Sequence, residues 1–280
     1  MSEYPIALAY EDGRGRVFTA DSMTFFDDRV GAGDVVVSGS YAARTTFGWA
    51  LGLGVKGIIS HAAGVGKDNA GISGLTLAEE HGVPGVACET MSARLAEGVS
   101  VYGGTVGHAN ATALRLGVRV GQPVAEAARL MLDAPPGRKV AVQEAADDRV
   151  HTFEETPNGR ILGSWGIPVL RSIKEPHPRD VFIQASHCGL TLAPNVLPLR
   201  LKGVVATDAG RGKDDSGIAA FPILDAEGMA AAAAAAMSAR IGDVLSVWHD
   251  GIISCMNEAA RKRGVRAGMT TKEAARKMVG

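Results

Sequence analysis

The sequence predicts an α/β protein made of two tandem pseudo-symmetric repeats, each a mostly parallel sheet flanked by helices. The first observation behind this is an internal duplication. From Val55/Leu201 to Val101/Val247 the chain matches itself at a fixed offset of 146 over 47 positions, with 17 identities and no gap. The second is the order of patterns inside each copy, where short β-branched runs alternate with segments of helical spacing. A period this long is not that of a solenoid.

The elements follow in order. "DVVVSGS" from Asp34 is a β-branched run ending in small residues and predicts a buried strand. "AARTTFGWALGLG" has helical spacing and a glycine stop. "VKGIIS" predicts a second strand, and a glycine-rich loop carrying Gly-Lys-Asp follows it. "AGISGLTLAEEHG" predicts a helix, "VPGVACE" a third strand and "PVAEAARLML" a closing helix. This alternation implies parallel strands joined by outer helices. The run Ala230–Ala236 favours a helix on propensity, yet it aligns with "PGVACET" of the first copy and is therefore expected to be a strand. Upstream the same offset pairs Asp34 with Asp180, Ser40 with Ser186 and Thr45 with Thr191. Downstream, after one inserted residue, Gly104 pairs with Gly251 and Asn110 with Asn257. The expected repeats are residues 1–140 and 150–280, joined by the polar segment 133–149, with a functional cleft between them.

Composition restricts the functional classes. Hydrophobic residues make up 46% and charged residues 21%, with a formal charge of −1, which suits a globular protein and gives no electrostatic footprint for nucleic acid or anionic membrane. No apolar run is long enough to span a bilayer, and the N-terminal stretch lacks a signal-peptide layout. The three cysteines, Cys88, Cys188 and Cys255, fit no disulfide framework or C-x-x-C pair. The expectation is a cytoplasmic protein, homo-oligomeric, acting on a small molecule.

The repeated loops are "AAGVGKDNAG" at Ala62–Gly71 and "DAGRGKDDSG" at Asp208–Gly217. They are not P-loops, because Asp68 and Asp214 stand where a Walker loop needs Ser or Thr for Mg²⁺. No dinucleotide fingerprint opens either half. A lysine beside an aspartate in a tight turn suits acid–base chemistry or the holding of a carboxylate. The second copy adds Asp208, Arg211 and Asp215 where the first has Ala62, Val65 and Asn69, an asymmetry from which one half is expected to supply more of the chemistry. The first, with Asp68 alone opposing Lys67, is expected to hold an anion better.

Two further elements repeat. "MSAR" pairs Ser92 and Arg94 with Ser238 and Arg240, and the arginines are read either as substrate clamps or as structural ion pairs. The strand ends place Ser40 and Ser186 where parallel sheets bind ligands, with His187 beside Ser186 as an acid–base candidate. The expected catalytic group is Lys213, Asp208, Asp214, Ser186 and His187. The expected substrate-binding group is Lys67, Asp68, Arg94, Arg240, Arg211, Ser40, Ser238, Asn110 and Asn257. No His/Asp/Glu cluster repeats with metal-ligand spacing, and no cofactor is expected.

The run "GDVVVSGSYAARTTFGWALGLGVKGIISHAAGVGKD" resembles the core of the swivelling β/β/α fold found in regulator-of-ribonuclease-like proteins and their pyruvate-aldolase relatives. Gly33, Asp34 and Gly57–Ile59 carry the likeness in the first copy, and Gly203–Val205, Asp208 and Arg211 in the second. The resemblance implies that Arg211 binds a substrate carboxylate and that an aspartate helps to hold Mg²⁺. A second resemblance is to ring-opening amidohydrolases of the cyanuric acid hydrolase type, which place Ser, Lys and Arg in repeated units. The favoured expectation is a hydrolase cleaving a C–N bond in a carboxylated or cyclic-amide carbonyl substrate. The alternatives are a Mg²⁺-dependent lyase acting on a keto acid, and a non-enzymatic binding or scaffold protein.

Overall fold

A computed structural model describes residues 4–142 and 149–280. Positions 143–148 of the expected join lie outside the described residues. The chain divides into two compact units. Unit 1 holds Met1–Ala63, Gly71–Ala145 and Gly212–Asp214, and unit 2 holds Gly64–Ala70, Ala146–Arg211 and Asp215–Gly280. Each unit therefore includes a few residues of a Gly-Lys-Asp loop that belongs in sequence to the other repeat.

Unit 1 contains strands β1 (Ala7–Asp12), β2 (Gly15–Ala20), β3 (Asp34–Tyr41), β4 (Gly57–His61), β5 (Gly85–Cys88) and β6 (Val106–Ala109), hydrogen-bonded in sequence order. The helices are α1 (Arg44–Leu53), α2 (Gly74–Glu80), α3 (Gly98–Tyr102), α4 (Ala111–Arg115) and α5 (Val124–Met131). In unit 2 the strands are β7 (His151–Thr156), β8 (Gly159–Ser164), β9 (Val181–His187), β10 (Gly203–Thr207), β11 (Ala230–Ala234) and β12 (Ile253–Met256), again in sequence order. Its helices are α6 (Ile167–Ser172), α7 (Ala193–Val196), α8 (Phe221–Ala226), α9 (Val244–Asp250), α10 (Glu258–Lys262) and α11 (Thr271–Val279).

Each sheet is parallel from its second to its fifth strand and antiparallel at both edges. The expected strands are the inner ones, β3, β4, β5 and their counterparts. Both faces of these strands are covered, which is why they read as unbroken apolar runs. In β3, Val36 joins a core with Phe47 and Leu51 of α1 and Leu77 of α2, while Val35 and Val37 face Val101 of α3 and Ala127 and Met131 of α5. Unit 2 repeats the arrangement, with Phe182 and Val204 against Val196 and Leu224, and Val181 and Val205 against Val247 and Met278.

The alanine run is a strand, as the internal alignment requires. β11 lies between β10 and β12 with every residue fully buried. Its side chains alternate between the two cores, Ala230 and Ala232 to one and Ala231 and Ala233 to the other. Tertiary pairing thus overrides helix propensity. Helix α1 ends as expected at Gly54, which adopts a left-handed φ of 76°. Among the described residues no helix is long and apolar enough to cross a membrane.

Candidate functional site

The carboxyl edge of a parallel sheet collects strand ends and loops, and it is where such sheets present ligand-binding groups. In unit 2, β10 runs straight into Asp208, β9 ends at Ser186 and His187, and the antiparallel β12 brings Ser254 and Cys255 to the same edge. Asp208 is buried. Its Oδ1 accepts the amides of Gly210 and Ala236, each at 2.9 Å, and its Oδ2 accepts the Ser254 hydroxyl at 2.7 Å. The two amides fix the carboxylate, and the Ser254 hydroxyl lies closer to it than to its other acceptor, the Ala233 carbonyl at 3.2 Å.

Arg211 stands beside this pair. Its Nε donates to Asp215 Oδ1 at 2.9 Å, and this pairing holds the Asp215 carboxyl below, and the guanidinium above, its usual range. Burial raises the Cys255 thiol, against the opposing influence of Ser254 and Arg211. The Cys188 thiol, fully buried, is raised by burial first and by the neighbouring Cys255 next. Both sulfurs are therefore thiols rather than thiolates at neutral pH. The first repeat has Ala62, Val65, Asn69, Gly107 and His108 where the second has Asp208, Arg211, Asp215, Ser254 and Cys255.

The loop backbone is unusual in both copies. Ala63, Gly64, Val65 and Gly66 form an unbroken left-handed run, as do Ala209, Gly210, Arg211 and Gly212. A β-branched residue such as Val65 at φ 60° is a genuine outlier. The glycines are needed for space as well. In unit 2 a Cβ on Gly64 would lie 2.7 Å from the Cα of Gly210.

Of the expected catalytic residues, Asp208 joins the Ser254 pair. Ser186 and His187 end the adjacent strand, where Thr207 Oγ1 donates to the Ser186 carbonyl and His187 Nδ1 accepts the Gly189 amide. Lys213 and Asp214 belong to unit 1. There Asp214 accepts Arg94 Nη1 at 3.1 Å, and the amide of Lys213 donates to the Ala93 carbonyl. The exposed Lys213 ammonium has no side-chain partner among the described residues.

Of the expected binding residues, only Arg211 lies at the Asp208 cluster. In unit 2, Lys67 Nζ donates to Asp250 at 2.9 Å, and Asp68 accepts Arg240 Nη1 at 3.0 Å. Arg94 and Arg240 also hold Glu97 and Asp243 of their own turns. Ser40 accepts the Met23 amide, and Ser238 bridges the Ala235 carbonyl and the Ile252 amide. Asn110 and Asn257 are buried helix caps, each also bonded to the strand beside it. Sequence reasoning did not reach Ser254 or Asp250. Extending the comparison of the repeats past the Gly-Lys-Asp loops, to every polar residue present in one copy only, would have found both.

Among the described residues no group of three or more His, Cys, Asp or Glu is placed to hold a metal ion. At the opposite, amino edge of the unit 2 strands a cleft of about 370 Å³ is lined by Arg160, His177, Arg179 and Asp180. Asp180 is fully engaged there by Arg160 and His177. No protein family, curated protein or solved structure matches this chain.

Proposed function

We propose that the protein is a hydrolase that cleaves a C–N bond in a carboxylated or cyclic-amide carbonyl compound, with its reacting groups at the carboxyl edge of unit 2. The observation that carries this reading is the 2.7 Å hydrogen bond from Ser254 Oγ to the buried, backbone-anchored carboxylate of Asp208. In this reading Ser254 Oγ attacks the carbonyl carbon while its proton passes to Asp208 Oδ2. Carbon–nitrogen cleavage leaves an acyl-serine and returns the proton to the departing nitrogen. Water then enters by the same acid–base exchange. Arg211 supplies the positive charge for the carbonyl oxygen as it becomes anionic. Ser254 rather than Cys255 is read as the nucleophile because its hydroxyl donates to the Asp208 carboxylate, whereas the Cys255 sulfur has no carboxylate partner among the described residues.

The test is covalent capture. A fluorophosphonate probe is expected to label Ser254, as read by peptide mass spectrometry, and Ser254→Ala is expected to lose both labelling and amide hydrolysis by more than about a hundredfold at unchanged melting temperature. Absence of labelling in the folded wild-type protein would argue against the reading.

A second reading, a non-enzymatic binding or scaffold protein, is favoured by a different observation. Asp68, Asp214 and Lys67 of the repeated loops are all held in ion pairs within the fold. Under that reading Ser254→Ala has no consequence for any turnover.

A further inference from the structure

The internal duplication lets one unit report what the other lacks. In unit 2 a short chain of donors converges on one carboxylate. The Arg240 amide donates to Ser246 Oγ at 3.1 Å, Ser246 Oγ donates to Asp250 Oδ2 at 2.8 Å, and Lys67 Nζ donates to the same oxygen at 2.9 Å. Lys67 and Ser246, in that order, hold the Asp250 carboxyl below its usual range.

Unit 1 repeats every donor of this chain. The Arg94 amide donates to Ser100 Oγ at 2.8 Å, the counterpart of the bond to Ser246. The Gly-Lys-Asp loop is anchored in the same way, with Asp214 on Arg94 as Asp68 is on Arg240. Lys213 stands in the role of Lys67. The acceptor alone is missing, because α3 is shorter than α9, and Tyr102 and Gly103 replace Trp248, His249 and Asp250. The proton of Ser100 Oγ and the ammonium of Lys213 have no acceptor among the described residues.

We infer that unit 1 carries a carboxylate-binding seat formed by Lys213 Nζ and Ser100 Oγ, which takes the carboxylate of a small-molecule ligand in the place that Asp250 fills in unit 2. A hydroxyl already fixed by a backbone amide and a cation on an anchored loop form a preorganised pair of donors for one anionic oxygen. Lys67 and Lys213, identical in sequence, thereby differ in role. One holds the protein's own carboxylate and the other holds a ligand's. Whatever reaction the Ser254–Asp208 pair carries out, this seat is defined by unit 1 alone.

The experiment is an amide-resolved NMR titration of the full chain with sodium acetate, with sodium chloride and inorganic phosphate as controls. Acetate is expected to shift the Arg94 and Ser100 amides and to leave those of Arg240 and Ser246 in place. Lys213→Met is expected to weaken the response by about tenfold or more. Asp250→Ala should open a second seat, so that acetate then moves the Arg240 and Ser246 amides as well. The inference is overturned if Lys213→Met leaves the acetate response unchanged. It is also overturned if Asp250→Ala adds no response in unit 2, or if phosphate outcompetes acetate at the Arg94 amide.

Discussion

Asn110 in unit 1 and Asn257 in unit 2 share three bonds. Each amide oxygen accepts a strand amide (Gly85 or Ala231) and a helix amide (Ala113 or Ala260), and each amide nitrogen donates to a loop carbonyl (Val83 or Met229). Lys56 and Lys202 likewise both tie two carbonyls together, and Asp34 and Asp180 both grip an arginine with two oxygens. Ala62 and Asp208, at matching positions, share nothing of this kind. Residues kept in both copies with the same partners hold the fold. Among the residues that break the repetition, Asp208, Arg211 and Ser254 are those the proposed hydrolysis uses, and Asp250 instead holds Lys67. Retention across a duplication is thus a sign of architecture, and departure from it points to a site.

The comparison can be broken most severely at the shared residues. Asn110→Ala and Asn257→Ala each remove a helix cap and leave buried backbone groups without partners, at a cost of roughly 3 kcal/mol. Denaturant unfolding is expected to show similar losses for the two, and a large inequality would show that they are not structural equivalents.

A smaller effect separates the units by pH. Unit 1 has His61 where unit 2 has Thr207. His61 is fully buried, and its Nδ1 accepts the Ala63 amide while Nε2 faces the Thr90 and Ala93 carbonyls, so the neutral ring carries its proton on Nε2. Burial lowers its pKa from the ordinary 6.5, so the unfolded chain binds a proton that the folded one refuses. Stability from this group is full above 6.5 and falls as pH drops below it, by at most about 1.4 kcal/mol per pH unit. In His61→Gln the acid limb of the stability curve should be shallower. An unchanged limb would assign the acid sensitivity elsewhere.

The smallest effect tests the left-handed loops. Val65→Gly removes a strained β-branched residue and should stabilise the protein by up to about 1 kcal/mol, since strain relief exceeds the added chain entropy. Melting temperature reads it directly, and a clear drop would mean that packing of the valine outweighs its backbone cost.

Much of the fold was legible because duplication supplies a second reading of each segment. The alanine strand is the clearest case, since its composition alone favours a helix. The edge strands were not legible. β1 is largely exposed and β7 largely half-buried, both are mixed in polarity, and β6 is only four residues long, so none gives a periodic signal. At the site, Asp208 and Arg211 stood out as charges added to a repeated loop. Ser254 lies in "GIISCMN", which resembles any buried strand, and only its antiparallel pairing to β11 brings its hydroxyl to Asp208. No local pattern encodes that approach.

The segments Gly212–Asp214 in unit 1 and Gly64–Ala70 in unit 2 have a consequence for how the chain is made. Domains ordinarily finish folding in the order of their synthesis. Here the first repeat leaves the ribosome still lacking part of its own unit, and the contact from Arg94 to Asp214 spans 120 residues. Closing so long a loop is a late and slow event. The Gly212–Asp214 piece of unit 1 can be placed only after the second repeat has been translated past Asp214. A protease nick between the repeats would leave two fragments, each retaining a piece of the other's unit.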